Sequence, residues 1–93
     1  MEATIVFFDR QDAEALAAVL TEAVADPSAP VDHETAKGAL AQIGRAIGRG
    51  AAFVSPDLTG PERASAGRCW QALAGGRQGI DDAQFKRVRS KLS

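Results

Sequence analysis

Ninety-three residues with a formal charge of −1 at pH 7 suit a single compact domain over 1–93. Of the 42 residues that make the chain 45% hydrophobic, 19 are alanine and only 22 are Val, Ile, Leu, Met, Phe or Trp, which leans towards closely packed helices. A membrane span, a secretory signal and a disulfide scaffold are excluded, since no apolar run reaches about 18 residues and Cys69 is the only cysteine.

From the N-terminus, Ala3-Thr4-Ile5-Val6-Phe7-Phe8 is β-branched and aromatic. It is too short for a helix of its own and suits a strand covered on both faces. A docked extended arm, or the first turn of a longer helix, are the competing readings. Asp9 offers an N-cap, and Asp12 puts a further acid in the first turn, where the helix dipole favours it. Ala13, Leu16, Ala17, Leu20, Ala23 and Val24 then recur at helical spacing, with Val19 widening the stripe. Asp26-Pro27-Ser28-Ala29-Pro30 stops this first helix, which spans about 10–25.

Asp32 is the next N-cap, followed by Glu34 and by an apolar stripe of Ala36, Leu40, Ile43 and Ile47, for a second helix over 32–48. It carries Gly38, Gly44 and Gly48, each costing about 1 kcal/mol relative to alanine. Ala41, Gly44 and Gly48 share one edge, which predicts a tight helix–helix crossing there; fraying towards Arg49-Gly50 is the alternative. Ala51-Ala52-Phe53-Val54 reads as a second strand pairing with residues 4–8, and Ser55-Pro56-Asp57-Leu58 as a turn.

Thr59-Gly60-Pro61-Glu62 fits a capping box and opens a third helix, about 60–74, with Ala66, Cys69, Trp70 and Leu73 inward and a stop at Gly75-Gly76. A turn of five to six residues leads to the fourth helix, 81–92. There Asp81 and Gln84 form a second capping box, Ile80 and Phe85 a hydrophobic staple, and Phe85, Val88 and Leu92 one apolar face. The fold class is mainly α, a small α+β domain: four short helices with an N-terminal extended segment paired to 51–54. The expected core holds Ile5, Phe7, Leu16, Leu20, Val24, Leu40, Ile43, Ile47, Phe53, Trp70, Leu73, Phe85 and Val88.

Charge is unevenly placed. Residues 1–59 carry nine acids against four bases, a net of −5, while 60–93 carry three acids against seven bases, a net of +4. Those seven bases are Arg63, Arg68, Arg77, Lys86, Arg87, Arg89 and Lys91, a basic face suited to binding a partner. Solvated acidic and basic surfaces are the bland counterpart of that reading.

Catalysis has little to work with. His33, the only histidine, sits in a first helical turn and reads as exposed, and Cys69 has no base near it in sequence and reads as a buried thiol. One His, one Cys and scattered acids match no metal-ligand spacing. Residues 79–85 resemble the exit of an EF-hand loop, but Leu73, Gly75 and Arg77 would fall at oxygen-donor positions, so calcium is rejected. Gly75-Gly76-Arg77-Gln78-Gly79 follows a helix rather than a strand and lacks the P-loop lysine.

No enzyme, metal or cofactor is therefore expected. The expectation is a cytoplasmic protein-interaction module, a bacterial or phage regulator or inhibitor that binds another protein. Arg outnumbers Lys eight to three, Ala/Arg/Gly usage fits a GC-rich genome, and arginine is enriched at interfaces. A homodimer is compatible with this, and membrane contact is not expected. The alternative is DNA binding by a helix-turn-helix using the last two helices, with Gln84, Arg87 and Lys91 exposed. Its long turn and the acids Asp81-Asp82 at the recognition end weigh against it.

Overall fold

A computed structural model describes residues 4–5, 7–28, 32–50, 53–75 and 77–92. The order is β1 (Thr4–Ile5), β2 (Phe8–Asp9), α1 (Arg10–Ala25), α2 (His33–Gly48), β3 (Phe53–Val54), β4 (Asp57–Leu58), α3 (Gly60–Leu73) and α4 (Asp82–Leu92). The mainly helical α+β class is as the sequence reads.

The helix ends follow local chemistry. Glu62 N donates to Thr59 Oγ1 at 3.2 Å while Thr59 N donates to Glu62 Oε1 at 3.0 Å, the complete capping box, with proline in the first turn. Asp32 Oδ1 accepts from Glu34 N at 3.1 Å. Beyond α2, Gly50 has φ +77°, the left-handed conformation that favours glycine after a helix. Asp9 caps α1 through its extended backbone only, without a side-chain bond. The connection from α3 to α4 covers residues 74–81 and is longer than expected, because α3 stops at Leu73 and α4 starts at Asp82.

The strands form two antiparallel ladders in one register: Thr4 pairs Leu58 and Ile5 pairs Asp57, then Phe8 pairs Val54 and Asp9 pairs Phe53. Together they make a single interrupted ribbon. Pro56, which has no N–H to contribute, falls in the interruption and is fully buried. The pairing thus extends beyond the anticipated segment, and Asp57–Leu58 is strand rather than turn. Residues 51 and 52, expected in the second strand, lie outside the described residues, as does the side chain of Ile5.

Among the described residues, helices cover only one face of this ribbon, which corrects the expectation of a strand buried on both. Directly paired residues share a face and neighbours along a strand alternate. Phe8, Val54 and Leu58 are accordingly fully buried. Phe7 and Phe53, expected in the core, project outward with 60% and 64% of their surface exposed.

The core joins Phe8, Leu16, Val19, Leu20, Ile43, Val54, Leu58, Trp70 and Val88 to buried alanines from α1, α2 and α3. Val24, Leu40, Ile47, Leu73 and Phe85 are half-buried against it. The expected close crossing at Gly44 and Gly48 is not formed: a methyl group at either would meet open space. The close approaches are elsewhere. Gly38 of α2 lies against the Glu62 side chain of α3, and Gly67 of α3 lies against Leu92 of α4.

Candidate interaction surface

Two surfaces are candidates, the basic residues of the C-terminal third and the outward face of the ribbon. The basic residues are largely occupied within the fold. Arg87 grips Asp12 of α1 with two hydrogen bonds, Nε to Oδ2 at 2.7 Å and Nη2 to Oδ1 at 2.8 Å. Gln84 Nε2 adds a third to Asp12 Oδ1 at 3.0 Å. Asp12 is 1% exposed, so a residue expected to serve the α1 dipole at the surface is a buried tether to α4. Gln84 is spent here too. Its N–H still donates to Asp81 Oδ1 at 2.7 Å, but its side chain does not return to close a second capping box.

This geometry sets the electrostatics. Hydrogen bonds from Arg87 hold the Asp12 carboxyl below its ordinary 3.8, outweighing the opposite effect of burial. The hydrogen bonds and charge of Asp12, with smaller contributions from Asp9 and Asp81, bind the Arg87 proton more tightly in return. Arg87 is thus a cation surrounded by acids.

The other basic residues are drawn in different directions. Arg77 pairs with Glu22 of α1, and Lys86 Nζ lies 3.0 Å from Asp82 Oδ2, one turn back along α4. The Arg89 guanidinium lies 5.6 Å from the Phe85 ring centre, and Lys91 Nζ 5.5 Å from that of Phe8. Arg68 Nη2 donates to Ser65 Oγ at 3.4 Å. Arg63 is half-buried and has no ion pair among the described residues. Two acids of the first 59 residues, Glu22 and Asp12, thus offset half of the +4 read from the last third, while Lys86 pairs with an acid of its own helix.

His33 is half-buried rather than exposed, and its Nε2 lies 2.7 Å from the Asp26 carbonyl, tying the start of α2 to the end of α1. Cys69 is buried and burial pushes its thiol up, which disfavours the thiolate. A cleft of about 360 Å³ opens at the α3–α4 connection, lined by Gly75, Ile80, Asp81, Asp82 and Phe85. Asp81 caps the α4 backbone and Asp82 pairs with Lys86, so both acids in it have partners.

The ribbon's outer face is different in kind. Phe7 and Phe53 are the large hydrophobic side chains left exposed among the described residues, and the register sets them diagonally across the two strands. Sequence reasoning placed both in the core. The available signal was strand parity: Phe7 is two residues before Asp9, so a strand carrying the polar Asp9 outward carries Phe7 outward as well.

No helix among the described residues is long and apolar enough to cross a membrane. Comparison with protein families, with curated proteins and with solved structures finds no significant match.

Proposed function

We propose that this protein is a non-enzymatic interaction module, a regulator or inhibitor that acts by binding another protein through the outward face of its strand ribbon. The observation that carries this reading is the pair Phe7 and Phe53, 60% and 64% exposed on one face of a folded body. Two adjacent aromatic rings in water are unfavourable unless something covers them. Covering roughly 250 Å² of aromatic surface is worth about 6 kcal/mol before association costs, enough to anchor an interface.

Nucleic acid is the less favoured partner. Duplex binding needs cations free to displace counterions, whereas Arg77, Lys86 and Arg87 already pair with Glu22, Asp82 and Asp12. The start of α4, where a recognition helix reads bases, carries Asp81 and Asp82.

Capture from nuclease-treated host lysate tests the proposal. The expected result is a protein partner that survives a change from about 50 to 200 mM salt, under which phosphate contacts weaken by orders of magnitude. The partner should be lost when Phe7→Ser and Phe53→Ser are combined. Loss of every captured protein on nuclease treatment, with nucleic acid alone recovered from untreated lysate and abolished by Arg63→Ala with Arg68→Ala, would overturn it.

A further inference from the structure

We propose that the outward side of α2 is a docking surface for an acidic helix of another protein. The side chains of Lys37, Arg45 and Arg49 are exposed there and take no hydrogen bond or ion pair among the described residues. They differ in this from Arg77, Lys86 and Arg87, which acids of the same chain hold. Lys37, Ala41, Arg45 and Arg49 follow one another at intervals of four residues, the spacing of a ridge along a helix, over about 18 Å. Arg49, the capping residue, continues the row with helical dihedrals, φ −72° and ψ −14°. Beside this ridge Gly44 and Gly48 leave a groove, where an added methyl group would meet nothing within 4 Å. The ridge of a second helix packs into such a groove.

Charge selects the occupant. Glu34, the one acid of α2, sits in its first turn, so the rest of that side is cationic. Acids four residues apart on a facing helix meet the cations at their own spacing. A second copy of α2 would bring the same three cations and be repelled. Acids on this chain's other helices are already engaged: Glu14 by Arg10, Glu22 by Arg77, Asp82 by Lys86 and Glu62 by Thr59. A duplex would find cations for its phosphates, but Ala41, Gly44 and Gly48 carry no group that reads a base edge. None of these residues belongs to the ribbon, so this surface stands independently of the reading of Phe7 and Phe53.

The probe is an alanine-based peptide with glutamates four residues apart, about 20 residues long so that it is helical. Titrated into the protein to about 1 mM, it should move the backbone amide resonances of residues 36–50 and leave those of 8–9 and 53–54 in place. Arg45→Ala and Arg49→Ala should each weaken binding about two- to fivefold, the range of an exposed ion pair. Gly44→Leu, which fills the groove, should weaken it about tenfold or more, with unchanged far-UV dichroism. Equal binding of a peptide with glutamine in place of glutamate, wild-type affinity in Gly44→Leu, or no shift at the highest concentration would overturn the proposal. A DNA duplex that moves the same amides at lower concentration would overturn it in favour of a phosphate surface. Shifts that follow protein concentration alone would overturn it in favour of a second copy.

Discussion

Asp12 carries the heaviest electrostatic duty of any single residue here. Its carboxylate is buried, yet three hydrogen bonds from Arg87 and Gln84 satisfy it, and Arg87 keeps 45% of its own side chain in water. The pair therefore responds unequally to mutation. Asp12→Asn keeps the shape and leaves a half-solvated guanidinium, which should lower stability by about 2 kcal/mol in denaturant titration at neutral pH. Arg87→Ala instead strands a buried carboxylate with Gln84 alone, and should cost more. The pH dependence follows from the depressed carboxyl. A group that binds its proton more weakly when folded stabilises above its unfolded value near 4, and that stability is lost as pH falls through the lower folded value. Wild-type stability should therefore drop between about pH 5 and pH 2, with a flatter profile for Asp12→Asn. Asp26 is also depressed, by Ser28, so some slope should survive the substitution. Identical profiles would show that Asp12 does not act as described.

At the scale of elements, the three glycines of α2 separate local propensity from packing. Gly44 and Gly48 face open space in helical conformation, so alanine there gains helix propensity without meeting anything. Each substitution should raise stability by about 0.5–1 kcal/mol, read as an increase in melting temperature. Gly38→Ala gains the same propensity but drives its methyl group into the Glu62 carboxylate. That carboxylate is held in place by Thr59 N, so moving it opens the capping box that starts α3. The net effect of Gly38→Ala should be neutral or destabilising, losing up to about 1 kcal/mol of capping. A stabilisation as large as that of Gly44→Ala would mean that the contact yields freely.

For the whole molecule, all four helices and the ribbon contribute to one buried cluster, and the Cα radius of gyration of 11.9 Å is near the about 12 Å of a compact chain this long. Unfolding should then be a single cooperative event. Trp70 reports on it, because its indole stacks on Phe85 at 6.1 Å and Nε1 donates to the Phe85 carbonyl at 2.9 Å. Its fluorescence and the far-UV dichroism should change together along a denaturant series. Cys69 gives an independent measure. Buried, with its thiol pushed up, it should react with a thiol reagent only through global opening, roughly thirtyfold faster in Asp12→Asn for the about 2 kcal/mol of stability lost. Rapid labelling of the native protein would show that the α3 face opens locally.

What the sequence by itself determined is what lies within one helical turn of each residue. Thr59 and Glu62, Asp32 and Glu34, and the proline and glycine stops act over four residues or fewer, so the four helices lie within a residue or so of where periodicity sets them. The tertiary structure decided which side of each element another element would cover. Phe7 and Phe8 are equally apolar, and only the one-sided packing of helices on the ribbon sends Phe8 inward and leaves Phe7 in water. Gly38 and Gly44 are alike in sequence, and only the path of α3 makes one crowded and the other open. Asp12 reads as a helix-start acid until Arg87, 75 residues away, closes on it. The candidate interaction face was only partly legible: strand parity sets Phe7 on the side of Asp9, but not whether that side is covered. A hydrophobic side chain is assigned to the core by its transfer free energy, and nothing local to it records whether a neighbour arrives to cover it.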